Sequence, residues 1–333
     1  MLKALPPISR RRALQGAAAA LVAFGLLMWW LVPMGDDSPG GRMTFSTGVK
    51  NAVYERYGKL LRTAVSHDMP KVDVELLNSQ GSQQNVERVA TGKADFTIAA
   101  ADAVEKYRLE GRPGADRLRG CARLYDDYVQ LVVRRSSDID TARDLRGKKV
   151  AVGQPRSGVR LIADRVLRAA DLDPDKDKDL TAVDAGIDTA PDLLKKGEID
   201  AFFWSGGLPT LTVQELSKDL DIDLVPLGDL VNALHEQGGA SRYYRAAVMP
   251  ADAYPAAQQN SSVPTLAVAN LLVTTDRADA KLTEGLTRTV IDSRDHIGDQ
   301  VHAAQLVDLR TALYTDPLTL HEGARRYYQS VKP

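Results

Sequence analysis

The 333-residue sequence has one cysteine, Cys121, and therefore no internal disulfide. Its fold must hold by burial alone, and Cys121 is most simply read as a small buried hydrophobe. Only one apolar run approaches the length of a membrane span, which excludes a channel or permease built from this chain itself. With 43 Lys and Arg against 44 Asp and Glu, there is no excess of positive charge to track a nucleic acid. Catalytic signatures are missing too. None of His67, His235, His296, His302 and His321 belongs to an H-E-x-x-H pair; His235-Glu236 and His321-Glu322 lack the second histidine. There is no G-x-S-x-G elbow, and Thr91-Gly92-Lys93 lacks the earlier glycine of a phosphate-binding P-loop. No cysteine pair is present for a metal. We therefore expect neither a cofactor nor a catalytic residue, and no fixed-period repeat is visible.

What is present starts at the N-terminus. Lys3 and Arg10-Arg11-Arg12 precede an apolar run, Ala17 to Val32, and Asp36-Asp37 follow it. That bias keeps the N-terminus in the cytoplasm and places the rest outside. Ser9-Arg10-Arg11 with a nearby Leu14 resembles a twin-arginine export address, although Ala13 stands where phenylalanine is usual; a basic Sec signal is the alternative. The run lies at the lower edge of what spans a bilayer, and Trp29 and Trp30 sit near its outer end, where indoles favour the interface. No A-x-A cleavage pattern appears, so a cleaved signal and a retained single-span anchor both stand. Either way the working part is extracytoplasmic. Removing the four early cations from the net charge of −1 leaves it at about −5.

Beyond the linker Asp36–Gly41, short β-rich runs alternate with helical patterns. Met43–Thr47, Val72–Leu77, Ala94–Ala100, Tyr125–Arg134, Lys149–Gly153, Leu180–Asp184, Ile199–Trp204, Asp221–Pro226, Tyr243–Met249 and Thr265–Thr275 read as strands. Helical spacing marks Tyr54–Ser66, the segment carrying Val86, Val89 and Ala90, the one carrying Val159 to Leu167, Ala190–Lys196, Ala278–Ile297 and Ala303–Leu313. Alternation of this kind predicts an α/β fold with largely parallel sheets. Tyr125–Arg134 leading out, and Tyr243–Met249 or Thr265–Thr275 leading back, are long enough to cross between two lobes. The expected organisation is an export signal or anchor over 1–35, a linker over 36–42, one lobe over 43–133 and 249–333, and the other over 134–248. A ligand cleft would lie between the lobes.

Two segments share one design. Val72–Leu77 runs into Ser79-Gln80-Gly81-Ser82, and Lys149–Gly153 runs into Gln154-Pro155-Arg156-Ser157-Gly158. In each, a strand meets a Gly/Ser turn and then a helix. Glycine permits close backbone approach, serine caps the helix, and the free N–H groups attract a carboxylate or phosphate. Simple helix capping is the competing explanation. Tyr54, Tyr125, Tyr128 and Trp204, the last followed by Ser205-Gly206-Gly207, are candidate cleft walls, since an aromatic ring buries a large apolar face behind one polar tip.

The order of these motifs resembles the TAXI family, the solute-binding subunits of TRAP transporters. The likeness runs from about Thr44 to Tyr328. It is carried by Val53-Tyr54 after a Ser-Thr-Gly start, by Gly81-Ser82 with Asn85, and by Gly147 to Gly153 with Pro155, Ser157 and Gly158. Lys196-Gly197-Glu198-Ile199-Asp200-Ala201-Phe202-Phe203 and Leu320-His321-Glu322-Gly323-Ala324 with Tyr327-Tyr328 complete it. The resemblance implies a type II periplasmic-binding-protein fold, with two lobes joined by two hinge crossings, that traps small acids such as glutamate or dicarboxylates. It also implies a TRAP-type permease as membrane partner, and carries Tyr54, Asn85 and Asp102 to the pocket. Lys50 and Arg156 depart from the family pattern by replacing small residues. They are the expected source of the positive charge that selects an acid. A membrane-tethered sensor of the same fold, working with a signalling partner, and a cleft enzyme remain the alternatives.

Overall fold

The computed structural model describes residues 21–24, 38–50, 52–176 and 178–331. The basic segment and most of the apolar run, with their expected export or anchor role, lie outside the described residues; 21–24 are helical. No described helix is long and apolar enough to cross a membrane. The chain divides into Met1–Ser38 and Pro39–Pro333, and the sheet and the candidate site belong to the second unit.

Ten strands form one sheet: β1 Gly41–Ser46, β2 Val72–Leu77, β3 Phe96–Ala100, β4 Leu118–Arg134, β5 Lys149–Ala151, β6 Thr181–Val183, β7 Ala201–Gly206, β8 Ile222–Val225, β9 Arg245–Met249 and β10 Val263–Thr275. Their order is β2-β1-β3-β10-β4-β7-β5-β6, with β8 on β4 and β9 on β10. The sheet is mixed rather than largely parallel. β1 lies parallel to β2 and β3, and β5 parallel to β6 and β7, but both long strands run antiparallel to every neighbour. Parallel neighbours need helical crossovers. The helices relevant to the site are α1 Val53–Asp68, α2 Ser82–Ala90, α3 Ala101–Leu109 and α4 Gly158–Ala169.

The two long strands make the crossings. β4 pairs with β10 from Leu118 to Tyr128, then with β7 from Tyr128 to Val133. β10 pairs with β9 from Val263 to Ala267 and with β3 from Asn270 to Val273. Tyr128 and Ala267 face one another where both strands change partners. Of the two candidate return runs, the longer one, β10, connects the two halves, and β9 packs beside it.

Two apolar clusters result from this path. One joins Phe45, Leu61, Ile98, Leu124, Leu286 and Tyr327 around the β1–β3 half. The other gathers Val129, Leu131, Ile162, Phe203 and Leu224 in the β5–β8 half and continues into Val86 and Val104 of α2 and α3. Local pattern and packing agree here: α1 buries Tyr57, Leu61 and Val65, one residue per turn along one stripe. α4 buries Val159, Ile162, Ala163, Val166 and Leu167. Cys121 is fully buried in the first cluster, and burial pushes its thiol up. His321 serves structure rather than chemistry: its Nδ1 accepts the Gly323 N–H at 3.1 Å and caps the helix Glu322–Ser330. Gly323 lets that helix approach closely, since a Cβ there would stand 2.1 Å from the carbonyl oxygen of Ala280.

Candidate functional site

The site is built from the two βα turns. In the first, Ser79 Oγ donates to the Thr47 carbonyl at 2.9 Å and accepts the Gly81 N–H at 3.0 Å. Gly81 has φ +122°, a conformation that side-chain-bearing residues rarely adopt. Ser82 then opens α2, and its Oγ accepts the Ala100 N–H at 3.1 Å while lying 3.1 Å from the Tyr54 hydroxyl. In the second turn Ser157 caps α4, its Oγ accepting the Arg160 N–H at 3.0 Å.

The two turns face each other across the lobes. Gln83 Nε2 donates to the Ser157 carbonyl at 2.8 Å, and the Gln84 N–H to that of Arg156 at 3.3 Å. A Cβ on Gly158 would come within 3.1 Å of Ser82 Oγ, and one on Gly81 within 3.5 Å of the Gly158 nitrogen. Both helix N-termini thus reach one cavity. The first N–H groups of each helix have no acceptor within their own helix and carry its partial positive charge.

Seven expected residues line this cavity: Tyr54, Gly81, Ser82, Ser157, Gly158, Trp204 and Ser205. The other six lie elsewhere. Asn85 is a brace behind the turn: it accepts from Ser46 Oγ at 2.7 Å and donates to the carbonyls of Thr47 and Ile98. Tyr125 is buried in the first apolar cluster against Tyr57, ring centroids 6.1 Å apart. Tyr128 is half-buried opposite Gly206 and packs on the second cluster. Lys50 is exposed and does not line the cavity. Arg156 instead pairs with Glu87 and lines a separate surface hollow. Asp102 is fully buried, ion-paired to Arg165 at 3.1 Å, and accepts from the Tyr244 hydroxyl at 2.6 Å. No Lys or Arg is among the described residues lining the cavity.

The carboxyl group that does line it is Asp127, which none of the sequence motifs marks. Asp127 is 5 % exposed and its Oδ1 has no hydrogen-bond partner. Burial pushes its pKa up to about 7, the charges of Asp126 and Asp102 push the same way, and Asn270 beside it pulls down. Asn270 does not close a bond of ordinary geometry with it, since its Nδ2 also lacks a partner while its Oδ1 accepts from the Tyr54 hydroxyl at 2.5 Å. Ser205 Oγ is a third unpartnered atom. Buried polar atoms are seldom left unmatched, and of these three Asp127 Oδ1 and Ser205 Oγ belong to residues that line the cavity. A signal was available: in the adjacent pair Asp126-Asp127, the two-residue period of a strand sends one acid to each face. Asp126 meets Arg123 and Arg245, which leaves Asp127 for the cavity.

Three Arg–carboxylate pairs tie the lobes on one side of the cavity: Glu87 to Arg156, Asp102 to Arg165, and Glu105 to Arg242. Burial raises the Asp102 pKa even though Arg165 opposes it. Among the described residues, no group of three or more His, Cys, Asp or Glu side chains converges as a metal site would.

Solved structures share this architecture. PhnD1 from Prochlorococcus marinus (MIT 9301), solved with methylphosphonate, superposes with a TM-score of 0.53 at 13% identity, over 79% of this chain and 90% of its own. A protein of Bordetella bronchiseptica RB50 gives 0.50 at 16% identity, over 88% and 90%. The periplasmic aliphatic sulphonate binding protein SsuA from Escherichia coli gives 0.46 at 14%, over 89% and 80%. At such identities the likeness is one of fold, a mixed α/β periplasmic-binding-protein fold. Residues 45–331 match the NMT1-like family, and the protein belongs to that family.

Proposed function

We propose that this chain is an extracytoplasmic solute-binding protein of the TAXI type. It captures a small anionic metabolite, glutamate-like or a dicarboxylate, between its lobes and delivers it unchanged to a TRAP-type membrane permease. The basic and apolar N-terminal segment exports it, by a twin-arginine route on our reading, and holds it at the membrane if retained. One observation carries the proposal: helix N-termini from opposite lobes meet at one cavity in which Asp127 Oδ1 and Ser205 Oγ lack partners.

The recognition chemistry derives from that arrangement. An acid group suits the N–H groups of α2 and α4 and the Ser82 hydroxyl. A donor, such as an ammonium, suits Asp127 Oδ1, and a charge-assisted bond there is of the stronger kind. The positive end of the site is thus backbone, not the side chains of Lys50 or Arg156. Trp204 and Tyr54 supply the apolar walls.

A thermal-shift screen of the purified protein with amino acids, dicarboxylates and phosphonates at about 100 times their Kd tests this. Saturation at that level adds about 2.7 kcal/mol, which for a chain of this size raises the melting temperature by roughly 4 °C. The hit must be recovered unaltered. No shift from any small acid, or consumption of the hit, would overturn the proposal.

A further inference from the structure

A second space opens beside the inner cavity. Its walls come from the start of α1, from 207–215 of the β5–β8 half, and from 300–303 packed on the β1–β3 half. Ala52, Val53, Ile187 and Trp204 line both spaces, so the inner cavity and the groove adjoin. Trp204 stands where the two spaces adjoin, its Nε1 donating at 3.0 Å to Thr210 Oγ1, whose own hydroxyl donates to the Gly207 carbonyl at 3.0 Å.

The groove holds a half-buried cation, Arg56. Its neighbour Glu55 is paired with Lys59, and the lobe-bridging arginines 156, 165 and 242 each have a carboxylate. Arg56 makes no ion pair and no side-chain hydrogen bond with any described residue. The groove's other charged group, Glu215, is exposed and acts on Lys195. Thr212 and Gln214 line the groove and can donate beside the guanidinium.

The two spaces differ in the charge they accept. Within the inner cavity a second anionic group would face the Asp127 carboxylate, and like charges in a buried site repel strongly. In the groove an unpaired guanidinium offers the planar fork that grips a carboxylate through two parallel bonds. We propose that the groove is a distal subsite in which Arg56 binds a second acid group, at the far end of a ligand whose near end occupies the inner cavity. The ligand class is then an elongated diacid bearing a donor at its near end. This rests on the solute-binding reading and adds to it the residue that sets chain length and far-end charge.

The test is calorimetric titration at pH 8 with L-glutamate and L-2-aminoadipate, each paired with the compound that replaces its far acid by a methyl group, L-norvaline and L-norleucine. The diacids should bind the parent at least tenfold more tightly than their methyl partners. Arg56→Gln should abolish that margin and leave norleucine affinity within about twofold; ligand-free melting controls for folding. Arg56→Glu should instead favour L-lysine over L-2-aminoadipate. Diacid affinity unchanged in Arg56→Gln, with norleucine still binding, would overturn the subsite alone. Failure of all four compounds to bind the parent would overturn it together with the amino-acid-like reading of the inner cavity.

Discussion

At pH 8, Asp127→Asn should make the ligand-free protein more resistant to urea and, at the same time, weaken ligand binding about 10- to 100-fold. Both effects come from one buried carboxyl without a partner on Oδ1. In the unfolded chain it titrates near the ordinary value of about 3.9, whereas in the folded protein burial moves it up to about 7. Between those values the folded state keeps a proton that the unfolded state has released. The stability from this group is therefore complete below about pH 4, declines as pH rises through about 4 to 7, and is gone above. A gap of about three pH units corresponds to roughly 4 kcal/mol, an upper figure for what the neutral, isosteric amide recovers. Parent and variant should unfold at similar urea concentrations at pH 4 and differ most at pH 8. Binding runs the opposite way, because a hydrogen bond to a charged group contributes about 1.5–3 kcal/mol that the amide does not supply. Affinity of the parent for a ligand with an ammonium should grow from pH 5 to 8, and that of the variant should stay flat. Identical urea midpoints across pH, or undiminished affinity, would show that Asp127 is neither strained nor a ligand contact.

Arg165→Met should cost about 3–5 kcal/mol of unfolding free energy at pH 8. Asp102 is fully buried, and Arg165 and the Tyr244 hydroxyl are its partners on Oδ2. Methionine keeps the stem of the side chain but strands a carboxylate between the lobes. Burial raises its pKa, so the loss should shrink as the pH is lowered and protonation relieves the charge. The double variant Arg165→Met/Asp102→Asn should lose less than the single one, a coupling that a double-mutant cycle in urea reads directly. Strict additivity of the two changes would mean that the pair does not act as a unit.

The legible parts of the site were those set by local chemistry. Gly81-Ser82 and Ser157-Gly158 each join a glycine and a serine next to a strand end, a pattern complete within a few residues; the expected capping holds for Ser157, whereas Ser82 is the first helical residue and its Oγ accepts from Ala100 instead. Arg56 and the Arg165 partner of Asp102 were not, because their roles depend on which face of a helix meets the other lobe, and the alternation at Asp126-Asp127 separates the two acids without saying which one faces the cavity. Arg156 illustrates the converse: it lies in the right turn, at φ +67°, yet its side chain reaches across to Glu87. The same distinction runs through the fold. β4 begins at Leu118, seven residues before the β-like run, because pairing with β10 carries the polar stretch around Arg119 and Arg123 into the sheet. The helix expected over Ala278–Ile297 breaks at Ser293, which ends Ala280–Asp292 and starts Arg294–Gly298. The one expected over Ala303–Leu313 divides into a 3₁₀ turn and the short helix Leu309–Ala312.

The central claim is that one ligand is held by both lobes at once. Hydrogen exchange of the purified protein, with and without a saturating acid from the thermal-shift screen, tests it most directly. The account predicts slowed exchange at the start of α2, Ser82 to Asn85, and at the start of α4, Gly158 to Ile162, with the same dependence on ligand concentration. Protection confined to one of these turns, or absent from both while the ligand is demonstrably bound, would contradict it.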